Sequence, residues 1–135
     1  MSGARVGLVL VSHSAAVATA VAELARGLAG GGPTAPVAAA GGDVDGGLGT
    51  NADLVARAAH EVDEGAGVAV LADLGSAVLT VKSLLADGDE LPPNTRLLDA
   101  PFVEGAVAAL VTASTGADLD MVAAAASEAY TYRKT

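Results

Sequence analysis

The sequence contains no cysteine, which excludes disulfides, thiolate catalysis and thiolate metal sites and fits a reducing compartment. Aromatic residues number three, Phe102, Tyr130 and Tyr132, and isoleucine is absent. The core must therefore be built from Ala, Val and Leu, side chains small enough to favour close packing of helices on a sheet. Cations are scarce as well: seven Lys and Arg stand against sixteen Asp and Glu, for a net charge of -9. Phosphate backbones and anionic lipid both require clustered cations, so nucleic acid and membrane surfaces are poor partners. A basic protein steered onto the acidic surface is the compatible alternative. Long hydrophobic runs are also missing. The apolar stretch at residues 6–11 follows Arg5 in the manner of a signal peptide, yet Ser12-His13-Ser14 interrupts it after six residues. That is short of the roughly 7 to 15 of a signal core and of the about 20 of a membrane span. A soluble, cytoplasmic protein is expected.

What is present suffices for one folded unit. The 135 residues are 52% hydrophobic and 17% charged, a packed globule rather than a disordered chain, and a single domain over residues 1–135 is expected. Residues 6–11 read as a strand buried on both faces. The period then changes: Val17, Ala20, Val21, Leu24, Ala25 and Leu28 recur at helical spacing until Gly30-Gly31-Gly32-Pro33. Residues 36–40 read as a second strand. After the glycine-rich loop at 41–49, Asn51 can cap a helix with the stripe Leu54, Val55, Ala58, Ala59 and Val62. Residues 68–71 form the next strand, 75–86 a helix carrying Ala77, Val78, Val81, Leu84 and Leu85, and 96–98 a fourth strand. Val103, Val107, Leu110 and Val111 mark another helix, and Thr115-Gly116-Ala117-Asp118 recaps a last one with Leu119, Val122, Ala125, Ala126 and Ala129. The order βαβαβαβαα predicts an α/β fold, a doubly wound and mainly parallel sheet of about four strands flanked by helices.

Ligands of such sheets bind beyond the carboxyl ends of the strands. Those ends carry Ser12-His13-Ser14, the loop at 41–50, Asp73-Leu74-Gly75-Ser76 and Ala100 to Gly105. His13 and Asp73 each follow a strand and precede a helix, where opening amides attract an anion. One imidazole nitrogen can attack phosphorus if the other is held as N–H by an acceptor, and Asp73 is the candidate to supply it. On the plainer alternative, His13 and Asp73 are merely helix caps. His60, amid Arg57, Glu61 and Asp63, reads as a solvated helix face. Two histidines without cysteine speak against a zinc site. Asp43-Val44-Asp45-Gly46 begins like a calcium loop, but Leu54 stands where the bidentate carboxylate belongs. No P-loop or G-x-S-x-G segment is present.

Val11-Ser12-His13-Ser14, Gly49-Thr50-Asn51, Asp73-Leu74-Gly75-Ser76-Ala77 and Ala100-Pro101-Phe102-Val103-Glu104-Gly105 resemble, in order and spacing, the mannose-type IIA domain of the bacterial phosphotransferase system. Within that family the likeness is to the phosphocarrier subunits of phosphoenolpyruvate-dependent dihydroxyacetone kinase, and it covers nearly the whole chain. The resemblance implies a flavodoxin-like three-layer sandwich and a phosphotransferase component without a cofactor. It implies that the histidine-containing phosphocarrier protein phosphorylates His13 and that the group passes to ADP on a partner kinase subunit. It also implies that Asp73 orients His13, that Ser14, Thr50, Gly75 and Ser76 border the phosphate, and that the protein is a homodimer. Some relatives continue into fused phosphocarrier domains; as this sequence stops at Thr135, the donor is expected in trans. Two alternatives are a IIA component of a mannose-type sugar transport system and a non-catalytic small-ligand-binding α/β domain. A site for a dianion is expected to keep carboxylates other than Asp73 at a distance, with Asp43, Asp45 and Glu104 the exceptions to follow.

Overall fold

A computed structural model describes residues 3–135. The elements run β1 (Gly7–Ser12), α1 (Ala15–Leu28), β2 (Val37–Gly41), α2 (Ala52–Val62), β3 (Val68–Ala72), α3 (Gly75–Asp87), β4 (Thr95–Leu97), α4 (Phe102–Ser114) and α5 (Leu119–Glu128). A single 3₁₀ turn, Ala129–Thr131, follows α5 and was not foreseen from periodicity. The four strands form one all-parallel sheet in the order β2-β1-β3-β4. This is the doubly wound α/β architecture, with a sheet between two helical layers.

Side-chain alternation divides the core. Leu8 and Leu10 of β1 join Ala69 and Leu71 of β3 beneath α1, α4 and α5. Val9 and Val11 join Val68 and Val70 on the opposite face, beneath α2 and α3. Both faces are covered, which is why β1 and β3 are continuous aliphatic runs rather than alternating ones. β1 and β3 are neighbours whose following helices lie on opposite faces, so the crevice between their carboxyl ends is the topological switch point.

Two helices sit differently on the sheet than their large residues suggest. α1 buries Ala18, Val21, Ala22 and Ala25, leaving Val17, Leu24 and Leu28 exposed. α4 buries Gly105, Ala106, Ala109, Leu110 and Ala113, leaving Val103 and Val111 partly in solvent. The reason is proximity: a Cβ at Gly105 would lie 2.8 Å from Ala100 Cβ and 3.1 Å from Leu71 Cδ2. A helix this close to the sheet presents its smallest residues, even where larger aliphatics lie at the same spacing. α2 and α3 bury the expected Val55, Ala58, Ala59 and Val62, and Ala77, Val81 and Leu84.

Glycine has a positional role at the end of β2. A Cβ on Gly41 would lie 2.5 Å from Ser14 O and 2.8 Å from Ala15 Cα, the backbone opening α1. Gly41→Ala should therefore push the start of α1 and the adjoining His13 away from the sheet, at a cost of about 1–3 kcal/mol. A lowered urea midpoint checks this; an unchanged midpoint would show that the turn absorbs a methyl group.

Candidate functional site

The switch point is built by three chain crossings. β1 ends in Ser12 and delivers His13; β3 delivers Asp73, whose amide donates to Val11 O at 3.1 Å. The loop after β2 returns to the same place, with Gly49 N donating to His13 O at 2.9 Å. These backbone bonds fix the relative positions of residues far apart in sequence before any side chain is considered.

The side chains then converge on the Asp73 carboxylate. Oδ2 accepts from Ser12 Oγ at 2.7 Å and from His13 N at 3.1 Å. Oδ1 accepts from Leu74 N at 2.7 Å and lies 2.9 Å from His13 Nδ1. Burial pushes the Asp73 pKa up, but the hydrogen bonds from Ser12, from the His13 ring and from the His13 and Leu74 amides outweigh it and hold the group below the usual aspartate range. An ionised carboxylate only accepts, so His13 Nδ1 carries a proton and, in the neutral ring, Nε2 keeps a lone pair. Ser76 Oγ is in hydrogen-bond contact with Nε2 and is the donor there. The His13 side chain is 24% exposed and that of Asp73 16%, so the ring is held from within and reachable from outside.

Neither His13 nor Asp73 is a helix cap. Ser14 caps α1, its hydroxyl accepting from Val17 N at 3.2 Å. α3 has Leu74 as its N-cap and no side-chain cap, so no side chain occupies its first amides, at Gly75 and Ser76.

The residues expected to border a phosphate are thus divided. Ser76 is at the ring, and Gly75 precedes it in the first turn of α3. Ser14 caps α1 with an oxygen lone pair and keeps its hydroxyl hydrogen to donate. Thr50 is turned to α3: its Oγ1 lies 2.8 Å from Thr80 Oγ1, which donates to Ser76 O at 3.1 Å. Thr50 donates in that pair, so it reaches the site through Thr80 and Ser76. Sequence reasoning gave no role to Ser12 or Thr80. A lone polar residue closing an aliphatic strand was a usable signal for Ser12; a mid-helix threonine gives none.

Asp43 and Glu104, the exceptions to follow, are engaged with partners of their own. Asp43 Oδ1 accepts from the amides of Asp45 and Gly47 at 3.0 and 2.8 Å, shaping its own loop. Glu104 pairs with Lys134 at 2.6 Å, and that hydrogen bond holds its pKa below the ordinary glutamate range. Asp99 accepts from Tyr130 Oη at 2.9 Å. It borders a cavity of about 500 Å³, together with Asp73, Gly75, Lys82 and Tyr130. His60 is exposed, as expected, but its Nε2 also donates to Glu90 O at 3.0 Å.

The family model described as "PTS system fructose IIA component" matches residues 7–123. The chain is 40% identical over 119 residues to the phosphoryl donor subunit DhaM of a PEP-dependent dihydroxyacetone kinase from Escherichia coli K12; the match covers 87% of this chain but 25% of that protein. It is 36% identical over 107 residues to the phosphoryl donor subunit DhaM of PEP-dependent dihydroxyacetone kinase 2 from Listeria innocua, covering 78% of this chain and 84% of that one. A crystal structure of a protein of unknown function superposes with a TM-score of 0.79 at 30% identity, over 92% of this chain and 94% of that one. A match over most of the sequence, on a fold that brings His13 and Asp73 together at the switch point, shows that the chain belongs to the EIIA-man family of phosphotransferase-system IIA components.

Proposed function

We propose that the chain is a phosphohistidine relay in a PEP-dependent dihydroxyacetone kinase, cytoplasmic and homodimeric. The observation that carries the reading is the acceptor-only Asp73 against His13 Nδ1, which leaves the Nε2 lone pair at the open first turn of α3. In uptake, that lone pair forms the N–P bond while the bond from phosphorus to the donor's nitrogen breaks and its electron pair stays with the donor. In delivery, a terminal phosphate oxygen of ADP forms the O–P bond and the electron pair returns to Nε2. The Nδ1 proton remains on the ring beside Asp73 throughout. Hydroxyl and amide donors at Ser76 and Gly75 stabilise charge on the equatorial oxygens, where most of the catalysis of phosphoryl transfer lies. The histidine-containing phosphocarrier protein is the proposed donor, and the ADP-binding kinase subunit the acceptor. That the relatives in Escherichia coli and Listeria innocua are phosphoryl donor subunits of dihydroxyacetone kinases supports this recipient over a sugar transporter.

Intact-mass measurement with phosphoenolpyruvate, enzyme I and the phosphocarrier protein tests it. A gain of one phosphate, lost on addition of kinase subunits with ADP, is expected; retention in their presence would give the recipient role to another component. The net charge of -9 adds an expected kinetic signature. Encounter with a basic donor should slow as salt rises, because exposed charges are screened beyond about 8 Å at physiological ionic strength. Stopped-flow phosphorylation should show the second-order rate falling with salt while the saturated rate stays nearly flat. A salt-independent second-order rate would remove steering.

A further inference from the structure

We propose that Ser12 is a positioning residue for phosphoryl transfer, its buried hydroxyl locking the Asp73 carboxylate in the orientation that holds His13 as the Nδ1–H tautomer. This rests on the reading of His13 as phosphoryl acceptor and extends it by one residue toward the core. Ser12 is the only buried polar residue among those described, 1% exposed at the end of an otherwise aliphatic strand. A hydroxyl there is costly to bury unless it is satisfied, and this one is satisfied in one direction only. Its Oγ accepts from Ser14 N at 3.1 Å, so its hydrogen is directed at Asp73 Oδ2, 2.7 Å away.

The consequence for His13 follows from the geometry of a carboxylate. Asp73 can rotate about χ2, and its two oxygens would otherwise be interchangeable. Ser12 and His13 N pin Oδ2, which leaves Oδ1 for the ring and for Leu74 N. Remove the hydroxyl and Oδ2 keeps only the 3.1 Å bond from His13 N. The carboxylate gains freedom, the bond to Nδ1 loosens, and a fraction of the imidazole takes the Nε2–H form, which has no lone pair for phosphorus. A second-layer partner that fixes a histidine tautomer in this way acts on the reacting nitrogen without touching it.

An alternative role for Ser12 is purely structural, as the acceptor that turns the chain from β1 into α1. The two roles part in the nitrogen spectrum of unphosphorylated, ring-labelled protein, where Nδ1–H and Nε2–H tautomers of His13 are distinguished directly. The wild type should show a single Nδ1–H form. Ser12→Ala should show a mixture, a phosphoryl uptake rate lower by roughly tenfold, and an acid limb of the pH–rate profile moved to higher pH as Asp73 loses a hydrogen bond that favours its ionised form. Ser12→Cys, nearly the same shape with a weak donor, should fall between the two and carries the test if the alanine variant does not fold. A single Nδ1–H tautomer with a wild-type profile in whichever variant folds would overturn the proposal. The spectrum is read without any donor, so failure of wild-type protein to take up phosphate would instead strike the relay reading itself.

Discussion

His13→Ala is expected to abolish phosphoryl uptake, and His60→Ala to leave it at the wild-type rate. Both residues are histidines with a hydrogen-bonded ring, so the contrast isolates placement. His60 Nε2 is occupied by the carbonyl of Glu90 on an exposed helix face, with no carboxylate to set its tautomer. His13 has Asp73 on Nδ1, leaving Nε2 as an acceptor at the opening amides of α3. Electrospray mass after incubation with the donor system reads both variants at once. Label retained by His13→Ala, or lost from His60→Ala alone, would transfer the assignment to the other histidine. The alanine at position 13 should not unfold the protein, because the residue's backbone bonds to Asp73 and Gly49 survive the substitution.

Asp73→Asn is the second large effect, and the structure changes what is expected of it. From sequence, the variant would fold normally and transfer slowly. All four partners of the carboxylate are donors, however, and each oxygen accepts one backbone amide, from His13 on Oδ2 and from Leu74 on Oδ1. Whichever way an asparagine is turned, its NH₂ faces a backbone N–H. A donor left opposed in this way costs about 1–3 kcal/mol, so the variant should also lose stability. In one orientation the NH₂ also donates to Nδ1 and forces the hydrogen onto Nε2, removing the nucleophile; uptake should fall on the order of 10²-fold or more. The stability effect has a definite sign with pH. Folding lowers the Asp73 pKa, so the carboxylate's contribution is fully present above the usual aspartate range and is lost as pH falls through the lower folded value. The gap in urea midpoint between wild type and Asp73→Asn should therefore be widest near neutrality and close in acid. A gap that is constant with pH would mean that ionisation of Asp73 does not stabilise the fold, and wild-type uptake in the variant would remove the residue from the mechanism.

Much of the architecture was legible because its signals are local. Val9, Val11, Val68 and Val70 fall in uninterrupted aliphatic runs, which only a sheet covered on both faces requires, and Asn51 and Asp118 stand where helices need an acceptor for their first amides. His13 and Asp73 were found because a doubly wound sheet gathers its strand ends at one edge. Their order in the chain therefore foretells a meeting in space. The faces of α1 and α4 were read only in part: Val21, Ala25 and Leu110 are buried, but periodicity weighs Leu24 and Val111 above Ala22 and Ala109, whereas close approach to the sheet selects by size. The sequence by itself thus determined the element order, the doubly wound class and the meeting of His13 with Asp73 at one sheet edge. Only the tertiary structure decided that both oxygens of Asp73 are filled by donors, that Thr50 reaches the site through Thr80, and that Ser12 stands behind the pair. Those are statements about direction over a few ångströms between segments 30 to 61 residues apart, and a hydrogen bond exists only where distance and angle are both met, which no spacing along the chain encodes.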